Sequence, residues 1–262
     1  MSVFGSLIDQ SEVISILKDA VEASRMVDNK TQSMTNTWLF TGPPGSGRSN
    51  AAIAFAAALV CKDGGCSKCN DCMSTIIGNH ADVELIKTAG LSIKIDEVRE
   101  LITRASWAPS VANYRVVVME DADRLTESAA NALLKAIEEP GLRTVWLLCA
   151  PSSTDVLPTI RSRTRSLVLR TPSIAAVAEL LEKEKFSPAM ADFAARASQG
   201  HIGRARHLAK SEEARTRRQA ILKISLLITD IASAFKAAQV LVEAAKAEAE
   251  EEAERRDDAE LS

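Results

Sequence analysis

A short apolar run, Trp38-Leu39-Phe40-Thr41, passes directly into Gly42-Pro43-Pro44-Gly45-Ser46-Gly47-Arg48-Ser49 and then into an alanine-rich stretch reaching Cys61. Few folds accommodate that order. The run predicts a buried strand and the stretch after it predicts a helix. Glycines between them let the backbone curl until several N–H groups face one anion, and the helix adds its positive end at the same spot. The pattern is G-x-x-x-x-G-[K]-[ST] with arginine at the lysine position, and Ser49 is the expected hydroxyl for Mg²⁺. Arg48 brings a broad planar group where a compact ammonium normally reaches the β and γ phosphates. Two options stay open: a loop that binds ATP with Mg²⁺, or a relic whose arginine holds a carboxylate or nothing.

Further short apolar runs at 83–86, 116–119, 145–149 and 167–169 alternate with helix-like stretches at 94–105 and 128–138. Such alternation implies an α/β fold whose parallel sheet is covered on both faces. Aromatic residues make up only 4% of the chain, so Ala, Leu, Ile and Val must pack the core, which favours helices over an all-β sandwich. After Thr171-Pro172-Ser173 the pattern reads as helices only, at 174–184, 190–198, 202–209 and from 214 onward. The expected organisation is a first domain over 1–170, a small helical domain over 171–210, and a helix with an acidic tail over 211–262.

Two clusters add chemistry. Val116-Val117-Val118-Met119 ends in Glu120-Asp121, carboxylates at the end of a strand. Alone they read as solvated acids; beside the glycine loop they read as the acidic partners of a metal-bound phosphate. Cys61, Cys66, Cys69 and Cys72 bring four thiols within twelve residues. Tetrahedral Zn²⁺ requires four soft ligands, and two-residue gaps let neighbouring cysteines fold around one ion. With no open coordination position the site is expected to be structural; the alternative is a set of free thiols. His80 and Cys149 are expected to be structural residues rather than ligands.

The net charge of -3 is uneven. From Glu243 onward nine acids face Lys246, Arg255 and Arg256, a local net of -6, so the rest carries +3. A weakly basic body fits modest contact with phosphate but shows no dedicated DNA-binding stripe. Residues 1–10 lack a secretory signal, and the longest apolar run falls short of a membrane span. The expectation is a cytoplasmic protein with no membrane partner.

Asp121-Ala122-Asp123-Arg124-Leu125 followed by Ala130-Asn131-Ala132-Leu133-Leu134-Lys135-Ala136-Ile137-Glu138-Glu139-Pro140 resembles the clamp-loader subfamily of AAA+ ATPases. Thr159-Ile160-Arg161-Ser162-Arg163-Thr164 is similar to that family's S-R-C motif, with Thr164 where cysteine is usual. The opening Phe4-Gly5-Ser6-Leu7-Ile8-Asp9-Gln10 is similar too, with Asp9 where glycine is common. The resemblance covers residues 3 to about 208.

It implies a AAA+ P-loop domain with a zinc knuckle, a small helical lid and the start of a helical collar. It implies that Arg163 is an arginine finger reaching ATP held by a neighbouring subunit, and that Ser152 and Ser153 occupy the first sensor region. In Ser198-Gln199-Gly200-His201-Ile202-Gly203-Arg204 the second sensor arginine would fall on Gly203, with Arg204 one step later. One step along a helix turns a side chain by about 100°. Arg48, Glu120, Asp121 and Gly203 all depart from the family's ATP chemistry, while the scaffold and the finger are kept.

That combination resembles a delta-prime type subunit of the DNA polymerase III clamp loader, itself at most a weak ATPase. The implied partners are the other loader subunits of a hetero-pentameric ring, a sliding clamp, and primed DNA reached through the assembly. The alternatives are a catalytic loader subunit and a DNA-remodelling ATPase with its own turnover. Leu222, Leu226, Leu227, Ile231, Phe235, Ala238, Val242 and Ala245 recur at helical spacing and resemble the beginning of a collar. A complete collar needs more chain, so a fragment or truncated form is expected, or else a two-domain protein with a solvated helical tail.

Overall fold

The structure, a computed structural model, describes residues 2–26, 33–88 and 90–260, and side chains except those of 225–227 and 247–260. Part of the polar segment 28–36, the side chains of Leu226 and Leu227, and the end of the acidic tail therefore lie outside the described residues.

The elements run α1 (Ser11–Ala23), β1 (Thr37–Thr41), α2 (Arg48–Val60), α3 (Asn70–Ile76), β2 (Val83–Ile86), α4 (Ile95–Ala105), β3 (Arg115–Met119), α5 (Glu127–Glu138), β4 (Thr144–Ala150), α6 (Pro158–Arg161) and β5 (Arg165–Val168). Helices α7 (Ile174–Lys183), α8 (Pro188–Ala197), α9 (Ile202–Lys210), α10 (Glu212–Leu227) and α11 (Ile231–Glu260) follow. All sheet pairings are parallel, in the order β2-β3-β4-β1-β5.

Alternation along the strands divides the core into two faces. Trp38, Phe40, Val116, Val118, Val145, Leu147 and Cys149 pack with α1 and α2, whereas Leu39, Val117, Met119, Trp146 and Leu148 pack with α4 and α5. Helix α2 is buried along nearly its whole length. Its alanines let it lie close to the sheet while α1, α3 and the N-terminal turn cover its other side. A separate apolar cluster, including Val177, Leu181, Ala194 and Ala205, joins α7, α8 and α9.

Local chemistry explains several joints. Asp9 adopts φ +55°, a left-handed conformation, which is why glycine suits this place. Its carboxylate accepts from the Ser173 N–H (2.9 Å) and hydroxyl (2.6 Å) at the start of α7. Gln10 donates to the Arg170 carbonyl at 2.6 Å, so the opening segment fastens the sheet to the helices after it. The helical pattern expected to continue from residue 214 breaks at 228–230. There the Asp230 carboxylate accepts from the Ser233 N–H at 2.7 Å, an N-cap that starts α11. Residues 70–76, which overlap the end of the cysteine cluster, form a helix whose first turn is capped by the Cys69 thiol accepting from the Cys72 N–H. No helix among the described residues is long and apolar enough to cross a membrane.

Asp82, only 1% exposed, organises the loop before β3. It accepts from the backbone N–H groups of Ser110, Val111 and Ala112, each at 2.7 Å, and from the Ser110 hydroxyl at 2.9 Å. Burial alone would raise its pKa, but these donors together bring it down to about 2. The folded state therefore prefers the carboxylate, and the stabilisation is present above the ordinary value near 4 and is lost as pH falls through about 2. Asp82→Asn is expected to lower unfolding free energy at neutral pH by about 2 kcal/mol. Denaturant titrations from pH 7 down to 2 should also show a shallower acid loss in the variant than in the parent.

Candidate functional site

The loop after β1 has the shape that its glycines predict. A Cβ on Gly42 would lie 2.6 Å from the Leu169 carbonyl and 2.5 Å from the Ser46 hydroxyl, so only glycine fits. Gly45 and Gly47 take φ +89° and +84°, and α2 begins immediately afterwards. The backbone thus presents an anion cradle at the positive end of a thirteen-residue helix, with Ser49 in its first turn.

The chain's own side chains crowd that cradle. Arg48 turns back on the loop, its Nη1 donating to the Gly42 carbonyl at 2.9 Å, and its buried Nε finds no partner. The His201 ring lies on the other side, 2.7 Å from where a Gly45 Cβ would sit. His201 caps α9, its Nδ1 accepting from the Arg204 N–H at 3.3 Å. Burial, helped by the charge of Arg204, lowers its pKa and favours the neutral ring that this acceptor role requires. Arg204 lines a cavity of about 310 Å³ with Ser198, His207 and Arg217 between α9 and α10. Gly203 carries no side chain toward the loop.

The two acids lie one strand beyond β4. Pairing of Met119 with Leu148 puts Glu120 beside Cys149, whose other neighbour is Phe40 of β1. Glu120 pairs with Lys87 (3.1 Å). Asp121 accepts from the Thr88 N–H at 3.4 Å and faces Arg124 at 3.8 Å. Both carboxylates are therefore engaged by groups of this chain. Cys149 is buried between the loop and the acids; burial first, and then Glu120, push its thiol pKa upward, so it packs as a neutral core residue. The Ser152 hydroxyl caps a turn by accepting from the Thr154 N–H at 3.2 Å.

Arg163 stands apart from all of these. It lies in the turn entering β5, whereas the glycine loop leaves the end of β1, and β1 and β5 are parallel neighbours paired from Trp38–Arg165 to Thr41–Val168. Four strand residues, about 13 Å, separate those two edges. Arg163 Nε pairs with Glu138 at the end of α5, and its Nη1 donates to the Thr159 carbonyl at 3.0 Å and the Ser162 hydroxyl at 3.2 Å. Two sequence segments that look independent thus meet in space.

The four cysteines form a cluster whose sulfurs all lie within 4.8 Å of one another. Cys61 Sγ is 3.8 Å from that of Cys66 and 3.6 Å from that of Cys69. Bonds of about 2.3 Å in a tetrahedron require sulfurs about 3.8 Å apart, so the set can hold a metal such as zinc. Backbone N–H groups of Asp63 and Cys66 point at Cys61 Sγ, and those of Cys69 and Cys72 at the sulfur three residues before. Burial would raise the Cys61 pKa, but the N–H groups outweigh it and bring it to about 6. His80 is occupied otherwise, its Nδ1 accepting from the Asp82 N–H at 3.0 Å. Cys61 also caps the C-terminus of α2, and Gly65, too close to Val3 for any Cβ, receives the N-terminal turn. The knuckle braces the helix that begins at the glycine loop.

A parallel sheet in this order, a glycine loop after the interior strand β1 and helices on both faces give a P-loop fold of the AAA+ type. A solved RuvB structure from Thermotoga maritima shares the fold, with TM-score 0.56 and 19% identity over 92% of this chain and 72% of that one. The family model described as DNA polymerase III, delta subunit, matches residues 16–173. DNA polymerase III subunit delta′ of Bacillus subtilis is 29% identical over 82% of this chain and 64% of its own length. That of Pseudomonas aeruginosa is 34% identical over 56% of this chain and 47% of its own. The gamma/tau subunit of Mycobacterium tuberculosis is 31% identical over 64% of this chain, but only 28% of that relative is covered. The chain belongs to the DNA polymerase III delta-subunit family and is of the delta′ type. It spans less than two thirds of the length of these relatives.

Zinc held by the four thiolates predicts one equivalent of metal in the purified protein by elemental analysis. Cys72→Ser, or a strong chelator, should lower the unfolding midpoint by several degrees, because the knuckle supports α2.

Proposed function

We propose that the chain serves as a delta′-type subunit of the DNA polymerase III clamp loader, working in the cytoplasm within a hetero-pentameric ring that places a sliding clamp on primed DNA. In this reading Arg163 enters the ATP site of a neighbouring subunit and stabilises charge on the phosphoryl group in transfer. The observation that carries it is the position of Arg163 at the sheet edge opposite its own phosphate loop. An arginine so distant cannot serve phosphate in its own cradle, whereas it is partly exposed and can meet phosphate brought by another molecule.

Turnover by this chain itself would be slight. Arg48 is folded onto the Gly42 carbonyl, Glu120 is paired with Lys87, and no arginine occupies the second sensor place at Gly203. In-line phosphoryl transfer tolerates little misplacement of its acids. The intact cradle from Gly42 to Gly47, with Pro43, Pro44, Gly45 and Ser46 between them, still favours a secondary reading in which ATP with Mg²⁺ binds without being turned over. Residues 1–170 would form the AAA+ body with a structural zinc knuckle at 61–72, residues 171–210 the lid, and residues 211–262 part of a collar helix with an acidic tail.

In a loader reconstituted with its other subunits, clamp and primed DNA, Arg163→Ala should lower steady-state ATP turnover while the assembled mass stays the same. Turnover equal to the parent's would remove the finger from the account. For the chain alone, Arg48→Lys should tighten binding of a fluorescent ATP analogue by roughly tenfold or more, since an ammonium no longer caps the Gly42 carbonyl as the guanidinium does.

A further inference from the structure

We infer that Glu138 is the positioning residue for Arg163, orienting the guanidinium before a neighbouring subunit arrives. The inference rests on the finger reading of Arg163 above. Glu138 occupies the last turn of α5, and Arg163 follows α6 by two residues; twenty-five positions of chain separate them. Their contact is between Nε of the arginine and a carboxylate oxygen.

Two of the three guanidinium nitrogens are held. Nε is bound to Glu138, and Nη1 is bound to the Thr159 carbonyl at 3.0 Å and the Ser162 hydroxyl at 3.2 Å. These three acceptors come from two elements, so the planar group is held against both rotation and translation. Nη2 is the nitrogen for which none of these contacts provides an acceptor. With Nε and Nη1 both held, the guanidinium is fixed in place and Nη2 remains to meet a ligand that approaches from outside the chain.

The exposure of the pair shows what it does. Arg163 and Glu138 side chains are 41% and 47% exposed, so their attraction is screened and adds little to folding stability. Orientation is the larger effect, because a free arginine samples many rotamers and an oriented one does not. Glu139, the next residue, faces elsewhere: it lines a hollow with Ser106, Lys135 and Thr144. Of the two adjacent glutamates, only Glu138 engages the arginine.

The test uses the assembled loader with clamp and primed DNA, comparing Arg163→Ala, Glu138→Ala, Glu138→Gln and the double variant Glu138→Ala/Arg163→Ala. Glu138→Ala should reduce the maximal ATP turnover that depends on Arg163 by up to roughly fivefold, leaving KM for ATP and the assembled mass unchanged. Glu138→Gln, which keeps an oxygen acceptor for Nε, should recover most of that loss. The double variant should be no slower than Arg163→Ala, because a positioning residue has nothing left to position. Full turnover in Glu138→Ala alongside a loss in Arg163→Ala would overturn the inference while keeping the finger. Equal, additive losses from the two residues would overturn it as well. No loss in Arg163→Ala would instead defeat the finger reading itself. Thermal unfolding of each variant, expected to match the parent, separates a positioning effect from a folding defect.

Discussion

Everything functional in this chain depends on a parallel sheet buried on both faces. Parallel pairing forces every crossover to run back along a helix, so the ends of the strands collect on two opposite edges. One edge holds the glycine loop after β1 and the acids after β3; the other holds the turn into β5 and the end of α5. A residue at one edge cannot contact phosphate at the other. The separation between the glycine loop and Arg163 follows from strand direction alone.

The same constraint explains the role of α2. The helix joins the phosphate loop to the cysteine knuckle, and its alanines let it sit almost fully buried between the sheet and the N-terminal turn. A metal held by Cys61, Cys66, Cys69 and Cys72 would fix the far end of the helix whose near end faces the loop. Shape is kept at the loop even where its chemistry is altered. Arg48 and His201 lie against the loop, and the glycines beside them retain the backbone of the cradle.

Much of this was legible in sequence because the signals are local. Five short apolar runs became five strands, the glycine loop fell between a strand and a helix, and the cysteine spacing foretold a four-sulfur cluster. What escaped depends on contacts between distant segments. Helix α3 is hidden in the sequence because its capping residue, Cys69, carries the signal of a metal ligand rather than that of a usual N-cap. The break before α11 was hidden because Asp230 and Ser233 interrupt an apolar spacing that otherwise continues. His201 against Gly45 and Glu138 against Arg163 join residues far apart in the chain, and neither local pattern records its partner. Asp9 is intermediate: its identity departed from the family's glycine, and only its φ of +55° shows why both residues serve there.

The proposed role requires this polypeptide to keep the shell of an ATPase while leaving hydrolysis to its neighbours. Release of phosphate from saturating ATP and Mg²⁺ by the isolated chain tests it most directly. The account predicts a rate indistinguishable from that of Ser49→Ala measured alongside. Turnover at roughly one per second or faster, an ordinary enzyme rate, that disappears in Ser49→Ala would contradict it.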